Sequence, residues 1–437
     1  MRNIRKEAYI IIKKVLRKNL FSDKLLQQKA KKLSEQDIKL LYSLVKGILK
    51  MKLNLDYIAS KFTYPKKYAN TSLKIKILLY LGLYQLIYID SIPDYAAVNE
   101  TVELANIVYS NKIGNFINAV LRAYLNQSRI EYPDNFIDYL SYKYSFPKKK
   151  KKKWVKLWGE KDTEKLCEFF NQVPSVYFRL NRMDTSPDKI KKYFKRRQID
   201  CKFSLASENV FTCENSYQIL DDIAFQEGYY SVQDPSSALV VELMNPQNGE
   251  SILDLFAGPG GKTTYTSELM MNTGEIVAID KFPQKIKQLK RAKERLKLDN
   301  IILETNDAFR YGPVAPIFDR VLIDVPCTGW GVMQKKAELR YQKNQNLKEL
   351  LKLQKNALKK AASFVKTGGY LIYSTCTMNP QENEEQINYF LAHNKEFVLV
   401  DAAECIKEEF TENGYLKTIP FKHNIAGAFA AKMKKLD

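Results

Sequence analysis

Strand-like and helix-like segments alternate from about residue 233 to the end of the chain, and this pattern restricts the possible folds more than any other feature. The short apolar runs typical of buried strands are Ser251–Phe256, Glu275–Asp280, Ile301–Glu304, Arg320–Asp324 and Gly369–Ser374. The segments between them that have helical periodicity are Lys262–Met270, Pro283–Leu296 and Gln345–Val365. Such alternation predicts a mostly parallel, doubly wound sheet. Because ligands of these sheets bind beyond the carboxyl ends of the strands, we expect functional residues in the loops that follow them.

The rest of the chain differs in composition and in the spacing of its apolar residues, which predicts two further parts. Residues 1–128 carry apolar side chains at helical spacing throughout, as expected for a helical bundle. Residues 129–232 begin with a basic, aromatic segment and continue as a small α/β module. The elements predicted for this module are strands at Val176–Leu180, Phe203–Leu205 and Val210–Thr212 and a helix at Pro187–Arg197. The predicted fold class is therefore multidomain, α then α/β.

Positive charge is concentrated in the first third of the chain. The sequence carries 70 Lys and Arg against 49 Asp and Glu, a formal net charge of +21. Within residues 1–160 there are 31 basic and 13 acidic residues, whereas residues 161–250 carry 11 and 14. A lysine-rich codon bias explains 56 Lys against 14 Arg, but it does not explain this gradient. The first third is therefore predicted to contact a polyanion such as a nucleic acid.

The run Lys148–Lys153 is the most extreme part of this charge. Six like charges repel one another, so the run is expected to be a solvated helix start or loop. Tracking a phosphate backbone is the alternative interpretation of the same residues.

Composition excludes several classes of protein. Hydrophobic residues make up 45% and charged residues 27% of the chain, which is not the usage of a disordered or fibrous protein. The longest apolar run, Ile77–Ile89, is too short to cross a bilayer, so no membrane contact is expected. Six scattered cysteines without a CxxC pair argue against a disulfide scaffold and a structural zinc site. We therefore expect a cytoplasmic protein without a metal.

A glycine-rich loop follows the first strand of the predicted sheet and leads into a helix. The loop consists of Phe256, Ala257, Gly258, Pro259, Gly260, Gly261 and Lys262. It has neither the Walker A spacing nor the dinucleotide fingerprint, although glycines and a helix N-terminus suit a closely bound, partly anionic ligand. Asp280 after the second strand is placed to bind ribose hydroxyls, and Asp307 after the third strand is placed near the adenine. The loop predicts an adenosyl ligand without a pyrophosphate, although such turns are common in α/β proteins.

Two cysteines are expected at the carboxyl ends of adjacent strands. Cys327 follows the strand that ends at Asp324, and Cys376 follows the strand that ends at Ser374. Both would face the crevice beside the adenosyl ligand. The cysteines interpreted as small buried hydrophobes are Cys167, Cys201, Cys213 and Cys405. Because both histidines lie outside every motif, thiolate chemistry is the covalent chemistry that the sequence favours.

An adenosyl donor, a thiol and a polyanionic partner together indicate methyl transfer to a cytosine. Carbon C5 of cytosine is too weak a nucleophile to take a methyl group directly, but thiolate addition at C6 gives C5 enamine character. The addition needs a proton or a hydrogen bond at N3, for which Asp324 is well placed. Loss of the C5 proton and elimination of the thiol need a second group, for which Cys327 is the candidate.

These motifs closely resemble those of bacterial RNA cytosine-C5 methyltransferases of the RsmB (Sun/Fmu) type, in the NOL1/NOP2/Sun superfamily. The matching segments are Phe256–Thr264, Asp280, Asp307, Asp324–Gly331, Tyr373–Glu385 and, as a closing antiparallel strand, Gly427–Lys432. Ile92–Glu100 and Phe116–Arg122 resemble the NusB-like RNA-binding domain of the same proteins. The resemblance covers the full length. It implies a NusB-like helical bundle (1–128), basic connecting helices with a small α/β module (129–232), and a Rossmann-like methyltransferase domain (233–437).

The resemblance also implies roles for individual residues. Cys376 would be the nucleophile and Cys327 would assist release. The residues that would bind S-adenosylmethionine are Phe256–Lys262, Asp280, Asp307 and Asp324. The substrate would be a single cytosine in small-subunit (16S) ribosomal RNA, before or early in ribosome assembly, and no metal is implied. Gly258 stands where alanine is more usual, which is expected only to loosen the loop.

Three alternatives remain open from the sequence. The same chemistry on transfer RNA would use the same motifs. A non-catalytic RNA-binding protein of ribosome assembly or antitermination would have a vestigial α/β domain, against which the intact Cys327, Cys376, Asp280 and Asp324 argue. An NAD-dependent dehydrogenase would share the doubly wound sheet, but the pyrophosphate fingerprint is missing.

Overall fold

The computed structural model describes residues 3–437 except 19, 32, 128, 214–215, 313–316 and 342–345. The chain packs into two compact units. The helical unit comprises residues 1–172 and 333–343, and the α/β unit comprises residues 173–332 and 344–437. The three-part division expected from the sequence stays a prediction. Gln345, the predicted start of one helix, lies outside the described residues.

The helical unit contains no strand among its described residues, which confirms the helical prediction for the first part of the chain. Its α-helices are α1 (Ile4–Lys18), α2 (Ser22–Ala30), α3 (Glu35–Lys50), α4 (Lys52–Lys61), α5 (Pro65–Ala69), α6 (Leu73–Tyr88), α7 (Asp94–Val108), α8 (Asn111–Asn126), α9 (Phe136–Tyr144) and α10 (Lys148–Asn171). The segment that follows the Cys327 loop adds a short 3-10 helix, Ala337–Arg340.

Helix α6 lies at the centre of this unit. Its residues from Ile77 to Leu83 are all buried, and it contacts α1, α3, α4, α7 and α8. A helix that is apolar on all sides is stable only when other elements cover every side, which explains its central position. The start of α3 is capped locally, since the Ser34 hydroxyl accepts a hydrogen bond from the Asp37 N–H at 3.2 Å.

The lysine run begins helix α10, but it is not solvated throughout. Lys148 forms an ion pair with Asp138 at 2.7 Å. Lys151 is completely buried, and its Nζ donates to the Phe146 carbonyl oxygen at 2.6 Å. The expectation of a wholly solvated run was therefore wrong. The reason is that one side of α10, which also carries Trp154, packs into the unit, and lysines in a run fall on every side of a helix.

Replacing Lys151 with methionine is expected to stabilise the protein at neutral pH. Burial lowers the pKa of Lys151 from 10.5 to about 7, so folding favours the neutral amine. The unfolded chain keeps this lysine charged up to about pH 10.5, so the cost to folding is full below pH 7 and disappears as the pH rises toward 10.5. The Phe146 carbonyl oxygen keeps the Ser141 hydroxyl as a donor in the variant.

Urea unfolding at several pH values measures this effect. Lys151→Met should gain up to a few kcal/mol at pH 7, at about 1.4 kcal/mol per unit of pKa shift, and its stability should rise less between pH 7 and 10. Lys50, whose pKa burial also lowers to about 7, accounts for part of the remaining rise. The exposed Lys152 is the matched control, and Lys152→Met should change little. A destabilised Lys151→Met variant would contradict the expectation.

The α/β unit begins with a small module. Its elements are β1 (Tyr177–Leu180), α11 (Pro187–Arg196), β2 (Cys201–Phe203), β3 (Val210–Cys213), α12 (Ser216–Leu220), α13 (Ile223–Gln226) and β4 (Tyr230–Val232). The strands form an antiparallel sheet in the order β2-β3-β1-β4. The second strand lies two residues earlier than predicted, because Leu205 is 80% exposed in the turn that follows it.

Two cysteines that were interpreted as separate buried hydrophobes are joined in this module. Cys201 and Cys213 lie opposite each other on β2 and β3 and form a disulfide bond. The interpretation was wrong for this pair because it depends on strand register, which spacing along the sequence does not reveal. Cys167 is buried as expected, and Cys405 is half-buried.

The larger domain of the α/β unit follows the predicted alternation. Its strands are β5 (Ser251–Asp254), β6 (Glu275–Ile279), β7 (Ile301–Glu304), β8 (Phe318–Asp324), β9 (Val365–Thr375), β10 (Phe397–Val400), β11 (Thr411–Glu412), β12 (Tyr415–Thr418) and β13 (Ala428–Lys435). Its α-helices are α14 (Pro235–Met244), α15 (Gly261–Leu269), α16 (Pro283–Arg295), α17 (Leu347–Ala362), α18 (Glu384–His393) and α19 (Pro420–His423). Its short 3-10 helices are Trp330–Val332, Pro380–Glu382, Ala402–Glu404 and Glu408–Phe410.

The strands of this domain form one mixed sheet in the order β11-β12-β13-β9-β8-β5-β6-β7, with β10 beside β13. Strands β5 to β9 are parallel, which confirms the doubly wound prediction, and β13 closes the sheet antiparallel to β9. Neighbouring residues of β5 enter two different cores, Ile252 with α14 to α16 and Leu253 with α17 and α18. The order of the strands reverses between β5 and β8, so a ligand crevice is expected at the carboxyl ends of these two strands.

A buried ion pair joins the small module to helix α15. The side chains of Arg179 on β1 and Glu268 on α15 are completely buried, and the guanidinium contacts both carboxylate oxygens. The guanidinium also donates to the Gly261 carbonyl oxygen at 3.0 Å and to the Gln233 side chain, and it lies 4.6 Å from the centre of the Tyr265 ring. A buried charge requires several partners of this kind. Here the hydrogen bond to the Gly261 carbonyl oxygen also holds the first residue of α15.

None of the described helices combines the length and the apolar composition needed to cross a membrane.

Candidate active site

The residues predicted for the site follow consecutive parallel strands at one edge of the sheet. The loop 256–262 follows β5, Asp280 follows β6 and Asp307 follows β7. Asp324 is the last residue of β8, and Cys376 comes directly after β9. Strand β8 lies between β5 and β9, so the loop 256–262 and Cys376 follow the two strands that flank the strand of Asp324, and Cys327 lies in the loop directly after Asp324.

The two motif cysteines are in contact. The sulfur atoms of Cys327 and Cys376 are 3.2 Å apart, and both residues are partly exposed. The hydrogen bond between the two sulfurs, together with burial and the negative charge of Glu382, raises the pKa of Cys327 well above its ordinary value. Cys327 is therefore a protonated thiol at neutral pH as long as the Cys376 sulfur is not covalently bonded to RNA.

A lysine and a carboxylate form an ion pair beside these sulfurs. The Lys262 Nζ donates to the Asp324 carboxylate at 2.6 Å, and the Ser374 hydroxyl donates to the other carboxylate oxygen at 2.9 Å. Burial opposes the charge on Lys262, but Asp324, with smaller contributions from Cys376 and Asp254, raises the pKa of the amine above its ordinary value. The ammonium group is thus retained next to a thiol, an arrangement that favours a thiolate.

One acid of the site, Asp254 at the end of β5, was not predicted from the sequence. Asp254 is 3% exposed, and its carboxylate accepts hydrogen bonds from the Thr263 hydroxyl at 2.8 Å and from the Phe256 N–H at 3.4 Å. Burial raises its pKa to about 7, and the nearby charge of Asp324 adds to this rise. An aspartate inside the apolar run Ser251–Phe256 was the signal in the sequence, since charged residues seldom lie in a buried strand.

Gly258 brings the loop into contact with Asp280. The Gly258 N–H donates to the Asp280 carboxylate at 3.1 Å. A Cβ at this position would lie 2.4 Å from the Lys285 Cβ and 2.7 Å from an Asp280 oxygen. The expectation that glycine only loosens this loop was therefore wrong, because here it permits a close approach that alanine would obstruct. Gly260, with a φ of 108°, adopts a left-handed conformation that favours glycine directly before α15.

Asp280 and Asp307 are both held by backbone N–H groups. Asp280 is 4% exposed, and its carboxylate accepts from the N–H groups of Gly258 and Phe282 and from the Lys285 amine. Asp307 is half-buried and accepts from the Phe309 N–H at 2.9 Å. The rings of Phe256 and Phe309 meet edge to face, with centres 6.4 Å apart. These contacts fix the two carboxylates and add the ring of Phe309, which was not predicted from the sequence, to that of Phe256.

S-Adenosylmethionine fits the chemistry of this edge. The first N–H groups of α15 have no acceptor within the helix, and a helix N-terminus favours an anionic group such as the carboxylate of this ligand. Among the described residues, no group of three or more His, Cys, Asp or Glu side chains is arranged to hold a metal ion.

Comparison with known proteins agrees with this architecture. A family model described as 16S rRNA methyltransferase RsmB/F matches residues 241–434, and a NusB family model matches residues 2–126. The solved structure of the protein PH0851 superposes with a TM-score of 0.82 over 99% of this chain and 98% of that chain, at 24% identity. The fold is thus a NusB-like helical domain followed by a Rossmann-like methyltransferase domain, as the sequence resemblance implied.

Two bacterial relatives match over the whole length. The probable ribosomal RNA small subunit methyltransferase B of Bacillus subtilis (strain 168) is 34% identical over 454 aligned residues, covering 100% of this chain and 98% of the relative. The probable ribosomal RNA small subunit methyltransferase B of a Synechocystis strain is 32% identical over 460 aligned residues, covering 100% of both proteins. The chain therefore belongs to the RsmB family of S-adenosylmethionine-dependent ribosomal RNA methyltransferases.

Proposed function

We propose that this protein transfers the methyl group of S-adenosylmethionine to C5 of a specific cytosine in 16S ribosomal RNA, with Cys376 as the nucleophile. The observation that carries this proposal is the 3.2 Å contact between the sulfurs of Cys327 and Cys376 at the carboxyl edge of the sheet. The adjacent Lys262–Asp324 pair supports thiolate chemistry on a ring bound over this edge. The names of the two bacterial relatives support a small-subunit ribosomal RNA as substrate.

S-Adenosylmethionine would bind along loop 256–262 and supply an electrophilic methyl group. The N-terminus of α15 favours the carboxylate of its methionine part. Asp280 and Asp307 would bind the adenosine part. The exposed rings of Phe282 and Phe309, each two residues after one of these aspartates, offer apolar surface for the adenine.

In the first step, the Cys376 sulfur adds to C6 of the cytosine. The Lys262 ammonium interacts with this sulfur and favours its thiolate form. Asp324 would bind at N3, and Lys262, which donates to Asp324 at 2.6 Å, would supply through that carboxylate the proton that N3 gains. Ser374 holds the second carboxylate oxygen and so keeps Asp324 oriented.

In the last step, Cys327 would remove the C5 proton, and elimination of Cys376 would restore the aromatic ring. The hydrogen bond with Cys376 is the largest cause of the raised pKa of Cys327. Once the Cys376 sulfur is bonded to C6, it carries no charge, so this cause is removed. The pKa of Cys327 then falls, so its thiol proton is lost to solvent more readily and the thiolate that can accept the C5 proton becomes accessible at this stage.

Radiolabelled S-adenosylmethionine and protein-free 16S RNA test this proposal. We expect the label in 5-methylcytidine after nuclease digestion and chromatography. Assembled subunits should be poorer substrates, because the target base must leave its stack at a cost of a few kcal/mol. Transfer RNA serves as the competing substrate. Label at another position, or in transfer RNA alone, would contradict the proposal.

The affinity of the protein for RNA is expected to depend strongly on salt through the helical unit. The logarithm of the binding constant should fall with the logarithm of the salt concentration by about 0.7 for each phosphate that is neutralised on a single strand. Replacing the exposed Lys149 and Lys152 with glutamine should reduce this slope, measured by fluorescence anisotropy. The exposed Lys395 and Lys434 of the α/β unit are the matched controls. An equal reduction in both double variants would argue against a special role for the helical unit.

A further inference from the structure

A completely buried carboxylate lies between the two cysteine loops. Glu382, the last residue of the 3-10 helix Pro380–Glu382, is 0% exposed. Among the described residues, its oxygens accept hydrogen bonds from the Thr328 N–H at 2.8 Å, the Thr328 hydroxyl, the Gln354 amide at 3.1 Å and the Asn379 amide at 3.0 Å. These donors come from the Cys327 loop, from α17 and from the Cys376 loop. One side chain thus joins three segments of the chain.

The contacts of Glu382 with Thr328 and Gln354 lead to both sides of Cys327 in the chain. Thr328, which donates to Glu382 twice, is the residue directly after Cys327. Gln354 donates to Glu382 and also to the carbonyl oxygen of Pro326 at 3.0 Å, and Pro326 is the residue directly before Cys327. The backbone on both sides of the sulfur-bearing residue is therefore held by hydrogen bonds that lead to Glu382.

The remaining contacts hold the Cys376 loop to the same carboxylate. Asn379, three residues after Cys376, donates directly to Glu382. The hydroxyls of Thr328 and Thr377 are 2.9 Å apart, and the Thr328 proton is directed to Glu382, so Thr377 is the donor between them. The two loops are thus linked next to the point where the sulfurs meet.

Burying a carboxylate in a protein core has an unfavourable free energy of desolvation. Removing it from water costs several kcal/mol unless its oxygens are fully satisfied, and apolar side chains of similar volume often stabilise a core at least as well. All four hydrogen bonds that the Glu382 carboxylate accepts among the described residues come from segments that carry or adjoin the cysteine loops. The arrangement therefore serves the geometry of the sulfur pair rather than general packing.

We propose that Glu382 is a positioning residue that holds the Cys327 segment against the Cys376 segment, so that Cys327 reaches the C5 proton during release of the methylated base. This inference rests on the proposed function, because it assigns Glu382 to the release step alone. Glu382 does not touch the base or S-adenosylmethionine. Without its carboxylate, the two loops separate, the C5 proton stays in place, and the covalent protein–RNA adduct persists.

Glu382→Ala, compared with Cys327→Ala, tests the proposal. With 16S RNA and S-adenosylmethionine, Glu382→Ala should lower turnover at least about tenfold and accumulate an RNA adduct that is visible on a denaturing gel. Its Kd for S-adenosylmethionine, measured by calorimetry, should stay within about twofold of wild type. Glu382→Gln keeps one acceptor oxygen and should recover much of the turnover. The exposed Glu385 is the matched control, and Glu385→Ala should behave as wild type.

The double variant Cys327→Ala/Glu382→Ala separates an effect through Cys327 from an independent one. If Glu382 acts through Cys327, the double variant should accumulate no more adduct than Cys327→Ala alone. Wild-type turnover in Glu382→Ala, or loss of S-adenosylmethionine binding, would overturn the inference. A Cys327→Ala protein that forms no adduct would instead overturn the release step of the proposed function. In that case the alkylation rate of Cys327 would decide whether Glu382 positions the Cys327 segment.

Thiol reactivity reports on the same geometry without turnover. In the protein alone, Glu382→Ala should raise the alkylation rate of Cys327 by iodoacetamide several-fold, since both the loop contacts and a negative charge near that thiol are lost. Peptide mass spectrometry gives the rate for each cysteine, and the buried Cys167 is the internal reference. An unchanged rate at Cys327 would overturn the inference. Equal increases at Cys327 and Cys167 would show a general loss of structure and would also overturn it.

Discussion

Replacing Cys376 with alanine is expected to abolish methyl transfer. The proposed reaction depends on the Cys376 sulfur, which adds to C6, whereas the neighbouring Cys327 is assigned to removal of the C5 proton. Removing the nucleophile of a covalent mechanism costs on the order of 10³-fold or more in turnover. Incorporation of radiolabel from S-adenosylmethionine into protein-free 16S RNA measures the loss.

A matched cysteine variant and a binding measurement accompany this experiment. The half-buried Cys405, whose sulfur lies 3.2 Å from the Lys432 amine, can be replaced with alanine as the control and should leave transfer unchanged. Calorimetry should give a similar affinity of Cys376→Ala and wild type for S-adenosylmethionine, so that a loss of transfer reports on chemistry. Full transfer in Cys376→Ala would contradict the assignment of the nucleophile.

Replacing Cys327 with alanine is expected to trap the protein on its RNA. Addition and methylation need Cys376, Lys262 and Asp324, which remain in this variant, whereas the base that removes the C5 proton is lost. Loss of a positioned acid or base lowers a rate roughly 10²- to 10⁴-fold, so the adduct should accumulate. A denaturing gel should show a slowly migrating band that carries both protein and radiolabelled RNA and disappears on nuclease treatment.

The double variant Cys327→Ala/Cys376→Ala is the control for this band. It should form no adduct, because the band requires the Cys376 sulfur. Normal turnover of Cys327→Ala would show that another group removes the C5 proton. A band that survives in the double variant would show attachment through a different residue. With either outcome, the release role of Cys327 would be wrong.

Much of the fold followed from patterns that act over short distances. The period of apolar residues predicted the helices of the first part of the chain and the alternation of strands and helices after residue 233. Strand β7 begins and ends where the sequence placed it, at Ile301 and Glu304. Strand β9 extends four residues further toward its start than expected, because pairing with β8 includes Val365 opposite Phe318. Such pairing depends on a neighbouring strand that the local sequence does not show.

The candidate site was predictable to the extent that topology determines it. Parallel strands bring their carboxyl ends to one edge, so Asp280, Asp324 and Cys376 could be expected together once the strands were recognised. The partners of these groups could not be expected in the same way. Lys262 was expected to bind the cofactor, but its ion pair joins it to Asp324, 62 positions away in the chain.

The sequence by itself determined the order of the elements, the edge where the chemistry is placed and the residue types available there, because these depend on periodicity and on the direction of parallel strands. Only the tertiary structure decided which groups touch. It buried Lys151, joined Cys201 to Cys213 and placed Glu382 between the loops that carry the two motif cysteines. Contacts of this kind depend on register and packing between distant segments, and their strength changes over a few tenths of an ångström, which spacing along a chain does not encode.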